Sequence, residues 1–148
     1  MLLCPHPSVP GRRAVLVLCT LGLVGALGCG AAPVPVSGKV MLDKKPLTTG
    51  IVSFRPDRGK GNTNAVEPRG KIAEDGSYTL ETNGKPGAPP GAYKVVVIAQ
   101  GPPVKPKDLY SPNKQIINPK YLQEDKTDLS VTVVKDPAPD AYDLKVTK

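Results

Sequence analysis

The stretch EDGSYTLETNGKPGAPPGAYKVVVIA, residues 74–99, holds the clearest fold signals of the chain. Near its start stands Asp75-Gly76, a pair favoured in hairpin turns because both residues tolerate positive φ. Residues 77–82 alternate apolar and polar side chains, which is the pattern of a strand with one buried face. Residues 83–90 favour a loop, and residues 92–99 form an apolar run that predicts a central strand. This stretch therefore indicates a β protein.

The same alternation predicts further strands on both sides of this stretch. Together they make about seven short strands separated by turn signals, the pattern of a β-sandwich with one modest core. The 15 glycines and 18 prolines among 148 residues disfavour long helices. The additional predicted strands are residues 36–42, 52–55, 69–73, 129–133 and 142–146.

Residues 100–127 interrupt this rhythm with five prolines and five lysines, which predicts a long irregular surface segment. Within it, Asn118-Pro119 favours one helical turn over residues 119–123, with Asn118 as the cap. The positive charge has two interpretations: a solvated surface, or a binding surface for acidic polysaccharide or anionic headgroups. The candidate ligand contacts in the second case are Lys105, Lys107, Lys114 and Lys120.

The N-terminal residues 1–28 have the pattern of an export signal. Arg12-Arg13 precedes an apolar run over residues 14–27, and small residues follow. A membrane-spanning helix is the alternative, but about 14 residues reach roughly 21 Å, short of a hydrocarbon core of about 30 Å. The pattern therefore predicts an exported protein.

Residues 26–29, Ala-Leu-Gly-Cys, resemble a bacterial lipobox, with Ala26 where Leu is usual. The resemblance implies cleavage before Cys29 and attachment of lipid, including palmitate, to that residue. Residues 29–35 would then be a short linker to the membrane, and Gly30 favours sorting to the outer membrane. An ordinary signal with an incidental cysteine is the alternative.

Cleavage at this site leaves 120 residues, and the loss of two arginines and no acid lowers the formal charge from +7 to +5. The mature chain then has no histidine and one cysteine, which excludes Ser-His and Cys-His catalysis and any internal disulfide. We expect no enzyme activity, cofactor or metal, although a carboxylate acid–base pair stays open. Short acidic pairs such as Glu74-Asp75 lack EF-hand spacing.

Nucleic acid is disfavoured as a partner for two reasons. The export signal would remove the protein from nucleic acid, and the lysines are not interspersed with aromatic residues that could stack on bases.

A Lys–Asp or Lys–Asn crosslink between the first and last strands is a further possibility that the alternation pattern argues against. Lys39 alternates with Val40, and Asp143 alternates with Leu144, so both polar side chains should face solvent. Such a crosslink needs a buried lysine.

Three parts of the chain together resemble the carboxypeptidase-regulatory-like (transthyretin-like) domains of small bacterial lipoproteins. They are residues 36–56, residues 74–80 with 89–95, and residues 118–122 with 129–133. The most specific part is the middle one, where a hairpin turn and a later Pro-Gly precede an alternating strand. The resemblance implies a seven-stranded antiparallel β-sandwich of the prealbumin type, used as an accessory or binding module.

The sequence therefore predicts a signal peptide over residues 1–28, a linker over 29–35 and a β-sandwich domain over 36–148. We expect a membrane-anchored lipoprotein of the cell envelope whose domain is a non-catalytic scaffold or interaction module. The alternative is an accessory domain that binds acidic polysaccharide through the basic segment 100–127. In both cases the partners are the membrane, through the lipid anchor, and an envelope polysaccharide or protein.

Overall fold

The computed structural model describes residues 31–103 and 113–148, apart from the side chains of Pro102 and Pro103. The predicted signal peptide, residues 1–28, lies outside the described residues. The described part is built from short strands and two 3-10 helices, so the all-β prediction is confirmed. The strands are β1 (Ser37–Leu42), β2 (Lys45–Pro46), β3 (Ile51–Pro56), β4 (Arg69–Lys71), β5 (Ser77–Thr79), β6 (Glu81–Thr82), β7 (Lys85–Pro86), β8 (Gly91–Ile98), β9 (Gln100–Pro103), β10 (Asn113–Gln115), β11 (Ser130–Val133) and β12 (Leu144–Val146). The 3-10 helices are η1 (Arg58–Lys60) and η2 (Pro119–Leu122).

The larger sheet has six strands in the order β11-β8-β3-β4-β6-β7. β3 and β8 pair antiparallel along the full length of β3, with Val52 opposite Val97 and Phe54 opposite Val95. These four side chains are buried, and so are Tyr93 and Val96 of β8. The apolar run 92–99 therefore forms an interior strand, as its composition predicts.

The second sheet is centred on β1, which pairs antiparallel with β2 and β5. The antiparallel expectation is wrong for one pair, because β12 runs parallel to β1, with Val40 opposite Leu144. The reason lies in the connection. β11 ends in the larger sheet, and residues 134–143 carry the chain across to the second one, so β12 enters beside β1 in the same direction. Parallel neighbours need a crossover of this kind.

The strand predicted over residues 77–82 divides its pairing between the two sheets. β5 pairs with β1 in the second sheet, whereas β6 pairs with β4 and β7 in the larger one. Leu80 stands between them; its side chain is buried, and its amide donates to the Val36 carbonyl at 2.9 Å. Divisions of this kind are one reason why there are more strands than the seven predicted.

The described parts of the segment 100–127, residues 100–103 and 113–127, contain more regular structure than their composition predicts. β9 and β10 pair antiparallel, and η2 follows. The predicted helical turn is confirmed, with Pro119 in its first turn and the Asn118 side chain accepting from the Lys120 amide at 3.0 Å.

The two residues considered for a crosslink between the first and last strands, Lys39 and Asp143, are both exposed, as predicted. The Lys39 backbone amide donates to the Asp143 carboxylate at 2.8 Å.

Buried side chains from the larger sheet, from the second sheet and from η2 form one hydrophobic core. The Phe54 ring lies near the middle of it, with its centroid 6.4 Å from that of Tyr78 and 5.7 Å from that of Tyr93. The Tyr78 hydroxyl donates to the Tyr142 carbonyl at 2.6 Å. Gly38 allows this approach, because a Cβ at that position would collide with the same carbonyl.

We expect Tyr78→Phe to lower the free energy of unfolding by about 1–2 kcal/mol, because the buried Tyr142 carbonyl loses its donor. Tyr121→Phe is the matched control. The Tyr121 hydroxyl lies 3.4 Å from Thr147 Oγ1, a long contact whose loss should change stability less. Urea unfolding of both variants at neutral pH measures the difference, and equal losses would contradict this assignment.

The same hydroxyl gives a pH prediction. Burial raises the pKa of Tyr78, and the Asp143 carboxylate raises it further. The unfolded chain releases this proton near pH 10, whereas the folded chain retains it, so the free energy of unfolding should fall as the pH rises above about 10. The fall should be shallower in Tyr78→Phe than in Tyr121→Phe. Identical slopes in urea unfolding between about pH 9 and pH 11 would assign the effect to other groups.

Candidate functional site

The outward face of the larger sheet exposes two aliphatic side chains. Ile51 on β3 stands directly opposite Ile98 on β8, and Lys71 on β4 stands on the other side of Ile51. Side chains alternate along each strand, and because Val52 and Val97 point into the core, their neighbours point outward. Ile51 is 45% exposed and Ile98 is 39% exposed. Lys71, Ile51 and Ile98 thus form a row across three strands.

A concave surface of about 550 Å³ surrounds this row; we call it the sheet-face cleft. One wall comes from the paired strands β9 and β10, where the Asn113 side-chain amide donates to the Gln100 side-chain oxygen at 3.1 Å. Gly50 lines the cleft with a φ of +134°, and a Cβ there would lie 2.6 Å from the Ile98 carbonyl oxygen. The lining residues are Thr49, Gly50, Ile51, Arg69, Gly70, Lys71, Ile98, Gln100 and Asn113.

The next part of the same face carries an ion cluster around Glu67. The Ser53 hydroxyl donates to the Glu67 carboxylate. Arg55 lies 3.4 Å from one oxygen of that carboxylate, and Arg69 lies 3.3 Å from the other. Arg55 also reaches Glu124 at 3.9 Å. These contacts cover Ser53, which is buried although it points outward.

The electrostatics of the ion cluster argue against a proton-transfer role. Burial alone would raise the pKa of Glu67, but the hydrogen bonds from Ser53 and Arg69 and the charges of Arg55 and Arg69 lower it overall. A carboxylate with a lowered pKa is a weak proton acceptor at neutral pH. The cluster therefore fits a structural role.

Lys71 differs from the two arginines because it forms no ion pair with any residue in 31–103 or 113–148. Its side chain is exposed at the rim of the sheet-face cleft. The nine lining residues include Arg69 and Lys71 but no acid. The cleft therefore combines an apolar pair, two cations and two side-chain amides, which is a set of groups suited to binding.

A second concave surface of about 500 Å³ lies between the β1–β2 hairpin and the segment after β10. Leu42, Pro46 and Ile116 contribute apolar surface, and Lys114 and Lys148 contribute two cations. Ile116 and Leu42 also pack against the main core. This surface is where one predicted ligand contact, Lys114, is placed.

The predicted basic site is brought together only in part. Lys114 is exposed on β10, whereas Lys120 lies in η2 and pairs with Asp128 at 2.7 Å. Lys120 also lies 4.8 Å from the centroid of the Tyr121 ring. Lys105 and Lys107 lie outside the described residues, as does the predicted lipid-attachment residue Cys29.

Sequence reasoning missed the sheet-face cleft. The apolar run 92–99, which contains Ile98, predicts burial of every residue, because a uniformly apolar run does not show which of its side chains face the core. One signal was present: Ile51, Ser53 and Arg55 share a strand face, so Ile51 stands on the polar side of its strand.

Comparison with family models, with curated proteins and with solved structures found no match for the chain. The resemblance to carboxypeptidase-regulatory-like lipoproteins stays a prediction from the motifs. Over the two described ranges, no helix combines the length and apolar character needed to cross a bilayer. The same ranges contain no cluster of three or more side chains suited to hold a metal ion.

We expect Glu67→Gln to lower the free energy of unfolding by about 0.5–1 kcal/mol at pH 7, because two arginines lose their charged partner. The pKa of Glu67 is lowered on folding, so its contribution is present above the pKa of the unfolded chain and is lost as the pH falls through the folded value. The difference between wild type and variant should therefore shrink below about pH 4. Thermal unfolding at pH 7 and pH 3 measures it, with Glu74→Gln, an exposed position in the turn before β5, as a control away from the cluster. A pH-independent difference would contradict this assignment.

Proposed function

We propose that the chain is a membrane-anchored lipoprotein of the cell envelope whose domain, residues 36–148, is a non-catalytic scaffold or interaction module. The observation that carries the interaction role is the sheet-face cleft, in which an exposed aliphatic pair lies beside Lys71. The finer architecture that we propose is a seven-stranded sandwich of the prealbumin type. One hydrophobic core shared by two β-sheets supports it.

The position of the first described residues supports an anchor close to the domain. Val34 already belongs to the fold, because its amide donates to the Ala88 carbonyl at 2.9 Å and its carbonyl accepts from the Ala88 amide at the same distance. Only four residues lie between Cys29 and Val34, so five residue steps join them along the chain. A fully extended segment of that length spans at most about 18 Å. A lipid on Cys29 would therefore hold the domain next to the bilayer surface.

The chemistry of the sheet face supports binding over catalysis. A mature chain that begins at Cys29 has no histidine. The buried hydroxyl on the sheet face, that of Ser53, donates to Glu67, whose carboxylate is neutralised by two arginines. This arrangement stabilises the carboxylate and leaves the hydroxyl without an activating base.

The anchor is tested by expressing the full-length precursor in a bacterial host with a radiolabelled or alkyne-labelled fatty acid. Native protein should incorporate label and fractionate with membranes, whereas Cys29→Ala should lose both properties because it removes the acyl acceptor. Cys19→Ala is the matched control, since Cys19 lies in the part that cleavage removes, and it should behave as native. Label on Cys29→Ala, or none on the native protein, would refute the anchor.

A second candidate function is binding of acidic polysaccharide through the basic segment 100–127. The observation in its favour is that Lys114 is exposed and shares the second concave surface with Lys148. Lys120 contributes less, because Asp128 already neutralises it. Exposed cations of this kind attract a polyanion in a salt-dependent way.

This candidate predicts retention on an immobilised oligogalacturonate that weakens as salt rises from about 0.05 M to 0.5 M. Changing Lys105, Lys107 and Lys114 together to Gln should abolish retention at the lower salt concentration. The matched control changes three lysines on other strands, Lys39, Lys45 and Lys145, to Gln, with the same change of charge. Equal losses in both triple variants would indicate non-specific attraction and reject the candidate.

A further inference from the structure

The sheet-face cleft has a geometry that restricts what could occupy it. The row Lys71, Ile51 and Ile98 crosses neighbouring strands at directly opposed positions. Neighbouring strands lie about 4.8 Å apart, so the row is about 10 Å long from the Lys71 backbone to the Ile98 backbone. The cleft is therefore a short surface with a cation at one end and aliphatic groups along the rest.

The charge of the lining favours an acidic occupant. Lys71 has no carboxylate partner among the described residues, and Arg69 is 63% exposed while it contacts Glu67 with one nitrogen. The lining contains no acid. A second copy of this chain would bring a like-charged face to the cleft, which electrostatic repulsion disfavours.

The apolar part of the cleft favours aliphatic side chains. Its lining contains no aromatic residue, so it offers no flat ring on which a sugar could stack. Two β-branched side chains on opposed strands instead present a surface onto which valine, leucine or isoleucine can pack. At the wall, the amides of Gln100 and Asn113 can both donate and accept hydrogen bonds, as a peptide backbone requires.

We propose that the sheet-face cleft binds an extended segment of a partner protein in which aliphatic side chains alternate with an Asp or Glu carboxylate; this assignment rests on the interaction role proposed above. In an extended peptide, side chains on the same face repeat every 6.5–7 Å, roughly. Three to five residues therefore cover the row, with the carboxylate at Lys71 and the aliphatic groups on Ile51 and Ile98. The wall amides lie beside the peptide backbone.

The probe for this proposal is a library of random octapeptides displayed on phage, selected against the protein purified in detergent from cells that express the full-length precursor. We expect the enriched peptides to share an aliphatic residue two positions from Asp or Glu. A fluorescent synthetic peptide of that consensus then measures affinity. Lys71→Glu and Ile98→Thr should each weaken binding by about tenfold, the first more strongly at low salt.

Matched controls carry comparable changes at exposed positions away from the cleft. Lys145→Glu reverses an exposed lysine on β12, and Val134→Thr replaces an aliphatic side chain that is 42% exposed. Both should leave the affinity of the peptide within about twofold of native, because neither lines the cleft. Far-ultraviolet circular dichroism of all four variants checks that each one is folded.

Four results would overturn the proposal. The first is a library that yields no consensus or a basic one, and the second is control variants that weaken binding as much as the cleft variants do. The third is binding of oligogalacturonate that depends on Lys71 but not on Ile98, which would assign the cleft to a saccharide. The fourth is self-association of the native protein that Ile98→Thr abolishes, which would assign the cleft to a second copy of the chain. Acyl labelling of Cys29 is read separately. Absence of labelling with peptide binding intact would refute only the lipid anchor. Labelling of Cys29 without peptide binding would refute only the proposed peptide ligand.

Discussion

The register of β3 against β8 is the constraint on which both the interior and the outer face of this domain depend. Side chains in a strand alternate between two faces, so a slip of one residue would exchange the two sets completely. In the observed register, Phe54 and Val95 meet in the core, and Ile51 and Ile98 meet on the outside. Gly50 supports this register, since its positive φ and missing side chain let the start of β3 lie against the Ile98 carbonyl.

The outward face of the sheet is divided into a covered part and an open part. Toward the middle of β3, the ion cluster closes over Ser53, and Val96 beside it is buried as well. At the start of β3, no comparable cluster covers Ile51 among the described residues. Both parts use the same strands, so the difference comes from the side chains that cover each part, while Gln100 of β9 and Asn113 of β10 form a wall beside the row. A surface built on central strands keeps its geometry with little loss of entropy on binding, which favours a preformed recognition site.

Local signals in the sequence were sufficient for individual elements and insufficient for their partners. The apolar run 92–99 and the Asn118-Pro119 cap each act over a few residues, and both predictions are confirmed. The division of residues 77–82 between two sheets depends on hydrogen bonds to distant strands, and the parallel β12 depends on a crossover, so neither could be predicted from alternation. The pairing of Lys120 could not be predicted either: it stands among other lysines in the sequence, but folding brings the Asp128 carboxylate next to it.

The sign of the charge connects the proposed anchor to the proposed cleft. A chain cleaved before Cys29 carries a formal charge of +5, so copies held on one membrane repel each other at short range. At physiological ionic strength that repulsion extends about 8 Å. The same field attracts an acidic segment over the same distance. An aliphatic pair exposed without flanking cations would favour self-association, whereas Lys71 and Arg69 beside Ile51 favour a partner of opposite charge.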